Sequence, residues 1–166
     1  MIEWSLLAPT IILLGAVITD VRNHKIYNKW VMVSICLALI SSFLCFKFAG
    51  LQQGALAAGL ALLLTLPLVI LGALGAGDMK LLFAFGLAQT YSAVFSVIVI
   101  SFLWAGVLGI VLSIVRGRSR ILAENTLRLL TAQPRDESTF QKLPFSVPLL
   151  LAWITYILLG LKQGAF

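Results

Sequence analysis

The chain of 166 residues is 61% hydrophobic and 11% charged, with a formal net charge of +6. A soluble domain is nearer half apolar and a quarter charged, so this composition excludes a sizeable soluble domain and indicates an integral membrane protein. The basic residues are scattered between apolar runs, which is typical of cytoplasmic loops and argues against a nucleic-acid partner.

Five apolar runs predict membrane-spanning helices, because a span needs about 20 apolar residues, with roughly 17–25 the usual range. In chain order the runs are Trp4–Thr19, Trp30–Phe46, Leu51–Leu74, Leu81–Val115 and Phe145–Leu161. Four of them have about the length of single spans, the first being short. The fourth run is too long for one span and slightly short for two, and we interpret it as a hairpin that turns near residues 89–92.

The distribution of Lys and Arg supports the hairpin. With six spans, ten of the 12 Lys and Arg residues fall on one side of the membrane, whereas with five spans the two sides are nearly equal. The positive-inside rule makes that side the cytoplasm and places both termini outside. The predicted cytoplasmic segments are residues 20–29, 75–80 and 116–143. We interpret the last as a basic amphipathic helix on the inner leaflet, between helices 5 and 6.

Two aspartates end on the same predicted side. Asp20 follows directly on the first run and Asp78 follows on the third, and both runs cross from outside to inside. Carboxylates at the membrane boundary are expensive to bury and indicate function. A close pair shares one proton, so that the ionised member can take a proton from water. The protonated member can hydrogen-bond the scissile carbonyl and later protonate the leaving amine. We therefore predict a catalytic pair without metal or cofactor; the alternative is a helix end with a solvated aspartate.

Several residues around the aspartates are candidates for supporting roles, namely Gly75, Gly77, Lys80, Arg22 and Asn28. The two glycines let the backbone leave a helix and let another segment approach closely. The lysine either tunes the nearby carboxylate or extends to the membrane interface. The arginine either orders its loop or only follows the positive-inside rule, and we expect the asparagine to cap the second span. No His or Cys cluster has the spacing of a metal site.

Three motifs resemble those of a known family. "GAGDMKLL" at residues 75–82 is similar to the GxGD element of membrane aspartic proteases, in the form seen in type IV prepilin peptidases. "DVRNHKIYN" at residues 20–28 is similar to that family's first motif, D-x-R-x-x-x-I-P-N, with Tyr27 where the family usually has proline. "KLPFSVPLL" at residues 142–150 is similar to the entry into the family's last helix.

The resemblance implies one membrane-embedded aspartic peptidase domain over residues 1–166, with Asp20 and Asp78 as its catalytic residues. Such enzymes cut the short basic leader from membrane-anchored type IV prepilins at the cytoplasmic face of the inner membrane. Long members also carry an N-terminal zinc-binding segment and methylate the new terminus. Nothing in this chain corresponds to that segment, so it resembles the short forms of tight-adherence (Flp-type) pilus systems, and we do not expect methyltransferase activity.

Two functions of other classes stay open at this point. A non-catalytic pilus-assembly subunit would tolerate asparagine at Asp20 and Asp78. A small proton-coupled transporter would hold its carboxylates nearer mid-span, on a pathway open to both sides. A presenilin-like protease shares the GxGD element, but its first aspartate follows a tyrosine, whereas Asp20 follows Thr19. The particular prepilin and the oligomeric state are not fixed by the sequence.

Overall fold

The computed structural model describes residues 2–23, 26–115 and 144–162. Regular secondary structure in these residues is entirely helical: α1 is Ile2–Asn23, α2 is Asn28–Ile70, α3 is Ala76–Leu87, α4 is Tyr91–Val115 and α5 is Ser146–Lys162. By length and composition, α1, α2 and α4 can each cross a membrane, while α5 is a shorter apolar helix. The predicted all-α membrane protein is confirmed in these terms.

The prediction of about six helices is not confirmed, since the described residues form five. The predicted second span lies within α2, and so does the third up to Ile70, where this helix ends. Within α2 the non-helical residue is Lys47, with φ 54° and ψ −139°. The long fourth run is divided between α3 and α4, with a short connection at residues 88–90. The predicted amphipathic segment 116–143 lies outside the described residues.

The long helix α2 folds back on itself at Lys47. A straight helix of its 43 residues would be about 65 Å long, roughly twice the thickness of a bilayer core. A Cβ built on Gly50 would lie 2.5 Å from the carbonyl oxygen of Ser42, although residues eight apart in a straight helix are separated by about 12 Å. The two arms of α2, residues 28–46 and 48–70, therefore run back alongside each other.

Helix α3 packs against the arms of α2 at backbone distance. Gly54 faces the carbonyl oxygen of Leu87, and a Cβ built on Gly86 would lie 2.7 Å from Cα of Ala58. The Oγ of Ser42 donates a hydrogen bond of 2.6 Å to the same Leu87 carbonyl. Small residues permit this approach in a lipid environment, where close packing replaces the hydrophobic effect as the driving force. The position of α3, and of the aspartate in its first turn, is fixed by these contacts.

Tryptophan side chains connect the remaining helices. Trp153 of α5 donates through Nε1 to Thr10 of α1 at 2.9 Å, and Trp104 of α4 donates to Thr155 of α5 at 3.1 Å. The ring of Trp153 also packs edge-on against Phe85 of α3, with 5.3 Å between centroids. An indole buries a large apolar surface while its N–H still finds an acceptor, which suits a helix contact inside a membrane protein. These contacts hold α5 against both α1 and α3.

Candidate active site

Asp20 lies in the last turn of α1 and is almost fully buried, with 6% of its surface exposed. Its Oδ2 accepts a hydrogen bond of 2.6 Å from Oγ of Ser146 and a longer one of 3.4 Å from the Ser146 backbone N–H. Ser146 is the first residue of α5 and is fully buried. The carboxylate therefore sits at the N-terminus of a helix, where free N–H groups and the helix dipole stabilise negative charge.

Asp78 lies in the first turn of α3 and is half-buried. The helix begins at Ala76 with Gly75 as its N-cap, so most of the predicted cytoplasmic segment 75–80 is helical rather than an open loop. The Asp78 carboxylate accepts a hydrogen bond from the Gly75 backbone. This is one half of a capping box, in which the third helical residue reaches back to the N-cap N–H.

The two carboxylates act on each other. Burial of Asp78, followed by the neighbouring charge of Asp20, raises the pKa of Asp78 from 3.8 to about 7, against the opposing hydrogen bond from Gly75. Helix α3 has only 12 residues and is not among the candidate spans, so Asp78 lies outside them. A neighbouring like charge disfavours the ionised form of a carboxyl group. The sequence-predicted aspartates are thus brought together at one end of the helix bundle.

The predicted supporting residues meet at the same end. Nζ of Lys80 donates a hydrogen bond of 3.0 Å to Oδ1 of Asn28. Asn28 is the first residue of α2 and Tyr27 is its N-cap, without a side-chain capping bond, so the prediction that Asn28 caps this helix is wrong. The asparagine side chain bonds to Lys80 instead. Arg22, in the last turn of α1, is exposed.

The segment before α2 packs onto the glycine motif. A Cβ built on Gly77 would lie 3.3 Å from Cβ of Ile26, so a larger residue at Gly77 would push this segment away. Tyr27 has φ −71° and ψ 136°, which lies inside the range of a proline ring. The backbone here therefore adopts the geometry that the family's usual proline would have, with tyrosine in its place.

A cavity of about 390 Å³ opens beside this segment. Its lining residues are Asn28, Val31, Met32, Ile35, Leu62, Lys80 and Phe83. Asn28 and Lys80 are the polar residues of this lining, among apolar side chains. Neither Asp20 nor Asp78 lines the cavity. Among the described residues, no group of three or more His, Cys, Asp or Glu side chains is placed to hold a metal ion.

Ser146 is the site residue that the sequence reasoning missed. It lies in the stretch "KLPFSVPLL", which the resemblance identifies only as the entry into the last helix. A serine at the start of a helix is a strong candidate to bond a carboxylate or a free N–H, and that signal was present in the sequence. Its partner is 126 residues away in the chain, so only the docking of α5 on α1 identifies Asp20 as the acceptor.

We expect Gly75→Ala to lower activity with little effect on stability. The Gly75 backbone, at φ −74° and ψ 143°, is allowed for alanine, but the new Cβ would lie 2.8 Å from Oδ2 of Asp78. The carboxylate is the flexible end of a side chain and moves away, and a displacement of about 1 Å at a catalytic group can reduce the rate by about 10²-fold. The measurement compares the rate and the thermal midpoint with Gly59→Ala, where nothing lies within 4 Å. An active Gly75→Ala variant would contradict this geometry.

Comparison with known proteins identifies a family for most of the chain. The family model of the type IV leader peptidase family matches residues 7–113, which is more than half of the chain and includes Asp20 and Asp78. No curated protein and no solved structure matches the chain significantly. The matched range contains α1 from Leu7 onward, all of α2 and α3, and nearly all of α4. The chain belongs to the type IV leader peptidase family.

Proposed function

We propose that the protein is an aspartic endopeptidase that removes the short leader from membrane-anchored type IV prepilins of the Flp-like class. The observation that carries the proposal is the meeting of Asp20 and Asp78 at one end of the bundle, in a chain of the type IV leader peptidase family. The ten Lys and Arg residues on that side of the predicted topology support an active site facing the cytoplasm from the inner membrane.

Two carboxylates with one shared proton are sufficient to hydrolyse a peptide bond. The ionised carboxylate takes a proton from water as the water oxygen bonds to the scissile carbonyl carbon, and the protonated carboxyl gives its proton to the carbonyl oxygen. The resulting diol collapses as the C–N bond breaks. The leaving nitrogen receives the proton taken from water, and a diol hydroxyl returns its proton to the second carboxylate. The pair is then back in its starting state.

The rival functions fit the site less well. A non-catalytic subunit has no need for a buried and a half-buried carboxylate at the same end of the bundle. A proton-coupled transporter needs carboxylates along a path open to both sides, whereas these lie in the last turn of α1 and the first turn of α3. The placement at a single end of the bundle supports work on a substrate that arrives from one side.

The proposal is tested by leader removal from a co-expressed Flp-type prepilin in a host without its own prepilin peptidase. We expect a shorter product on a gel, and N-terminal sequencing that places the cut at the junction of the leader and the apolar helix. The same host with an empty vector provides the baseline, and a chelator in the membrane assay leaves the rate unchanged. Intact prepilin beside well-expressed, membrane-inserted protein would count against the peptidase.

A further inference from the structure

The start of α5 is arranged asymmetrically with respect to the two carboxylates. The Ser146 hydroxyl and the Ser146 backbone N–H both donate to Oδ2 of Asp20, at 2.6 and 3.4 Å. Asp78 receives a bond from the Gly75 backbone. Two donors on one oxygen favour a carboxylate that only accepts hydrogen bonds over a carboxylic acid that must also donate one. The surroundings of Asp20 thus suit a group that accepts hydrogen bonds.

The charged groups on the packed helices leave this asymmetry in place. On α1 and α2, Arg22 and Lys29 are exposed. On α3, Lys80 is bonded to Asn28. Lys162 lies at the far end of α5 from Ser146, about 24 Å along the helix axis. Among the described residues, the neighbouring charge that the site itself supplies is the second carboxylate.

We infer that Ser146 is a positioning residue that holds the Asp20 carboxylate in one orientation, so that Asp20 is the base that takes the proton from water and Asp78 is the acid that carries the shared proton. This inference rests on the proposed function and adds to it the assignment of the two roles. In the first step the proton of water passes to Asp20 and the proton of Asp78 passes to the carbonyl oxygen. In the second step Asp20 gives its proton to the leaving nitrogen, and Asp78 recovers one from the diol.

The first arm of the test is the pH–rate profile of leader cleavage for the wild type, Ser146→Ala, Ser146→Thr and Ser34→Ala. Ser34 is the matched control, because it is equally buried and its Oγ has no hydrogen-bond partner in the described part of the chain. Loss of a hydrogen bond to a charged group corresponds to a shift of about one pH unit. We therefore expect the acid limb of the Ser146→Ala profile to move up by about one pH unit, with kcat reduced on that limb and KM unchanged.

Ser146→Thr and Ser34→Ala distinguish a positioning role of Ser146 from a merely structural one. Ser146→Thr keeps a hydroxyl and returns the acid limb toward its wild-type position, and Ser34→Ala leaves the profile as it is. The basic limb, which reports the loss of the proton from Asp78, stays in place in all of them. A Ser146→Ala profile that is uniformly lower but has the same limbs would show a merely structural role and overturn the inference.

The second arm does not require cleavage. Infrared spectroscopy of the purified protein in nanodiscs follows the carbonyl band of protonated carboxyl groups as pH is raised. We expect a band that persists toward neutral pH in the wild type and in Asp20→Asn, where the burial of Asp78 remains, and that is lost in Asp78→Asn. Loss of this band in Asp20→Asn and its retention in Asp78→Asn would reverse the two roles. That result would overturn the inference even if the wild type cleaves the prepilin normally. A wild type that does not cleave but shows the expected bands would instead reject the proposed substrate.

Discussion

Replacement of either aspartate by asparagine is expected to abolish leader removal. The amide has nearly the shape of the carboxyl group, but it neither takes a proton from water nor gives one to a carbonyl oxygen. A positioned acid or base typically contributes about 10²–10⁴-fold to the rate, so each single variant loses about 10³-fold or more in kcat. Because the two groups act as one unit, the double variant is expected to be scarcely slower than either single variant.

The fold survives both substitutions. At Asp20 the new amide oxygen still accepts the hydrogen bond that Ser146 donates at 2.6 Å. At Asp78 the amide oxygen still accepts from the Gly75 backbone, and the substitution removes a carboxyl group whose charged form is disfavoured by burial and by Asp20. Expression and thermal midpoint should therefore match the wild type. A loss of cleavage would then reflect a loss of catalysis and not a smaller amount of folded protein.

The matched control is Asp136→Asn, the same substitution in the predicted basic segment 116–143. It should cleave the prepilin at the wild-type rate. Gel shift and N-terminal sequencing on the two single variants, the double variant and the control complete the measurement. Cleavage above the empty-vector level by Asp20→Asn or Asp78→Asn, at normal expression, would remove the pair from the mechanism and favour a non-catalytic role.

The meeting of the two aspartates was predictable, because it depends on parity. Two apolar runs lie between Asp20 and Asp78, and an even number of crossings returns the chain to the same side of the membrane. The two arms of the folded-back α2 keep this number of crossings even, although Lys47 interrupts a single helix instead of separating two helices. A lone cation in an apolar stretch shows where the chain reaches water. It does not show whether the helical hydrogen bonds stop there.

Other features depend on contacts between distant segments and were not accessible from the sequence. The bond between Asn28 and Lys80 uses a side chain that local preference assigns to a cap. Which oxygen Ser146 approaches depends on how α5 docks on α1, and that docking involves the bond from Trp153 to Thr10. Spacing along one helix predicts which residues share a face, but it carries no information on which neighbouring helix that face meets.

The second large effect is expected at Gly86, where valine should prevent normal packing of α3. A Cβ built on Gly86 would lie 2.7 Å from Cα and 2.9 Å from N of Ala58, and both are backbone atoms that cannot rotate away. Helix α3 must therefore move off α2, which we expect to destabilise the protein by about 3 kcal/mol, at the upper end of the range for overpacking. The displacement also shifts Asp78, about two turns earlier on the same helix, so cleavage falls with stability.

The control for this prediction is Gly106→Val, which adds the same branched side chain to a helix at a glycine with nothing within 4 Å. Its exposed position on α4 leaves room for the side chain, so the loss of stability should stay within about 0.5 kcal/mol. Thermal unfolding of the purified proteins in detergent, beside their yield in the membrane, measures the difference. Equal midpoints for Gly86→Val and Gly106→Val would mean that α2 and α3 do not meet at backbone distance. The position of Asp78 would then depend on the other contacts between these helices, such as the approach of Gly54 to the Leu87 carbonyl oxygen.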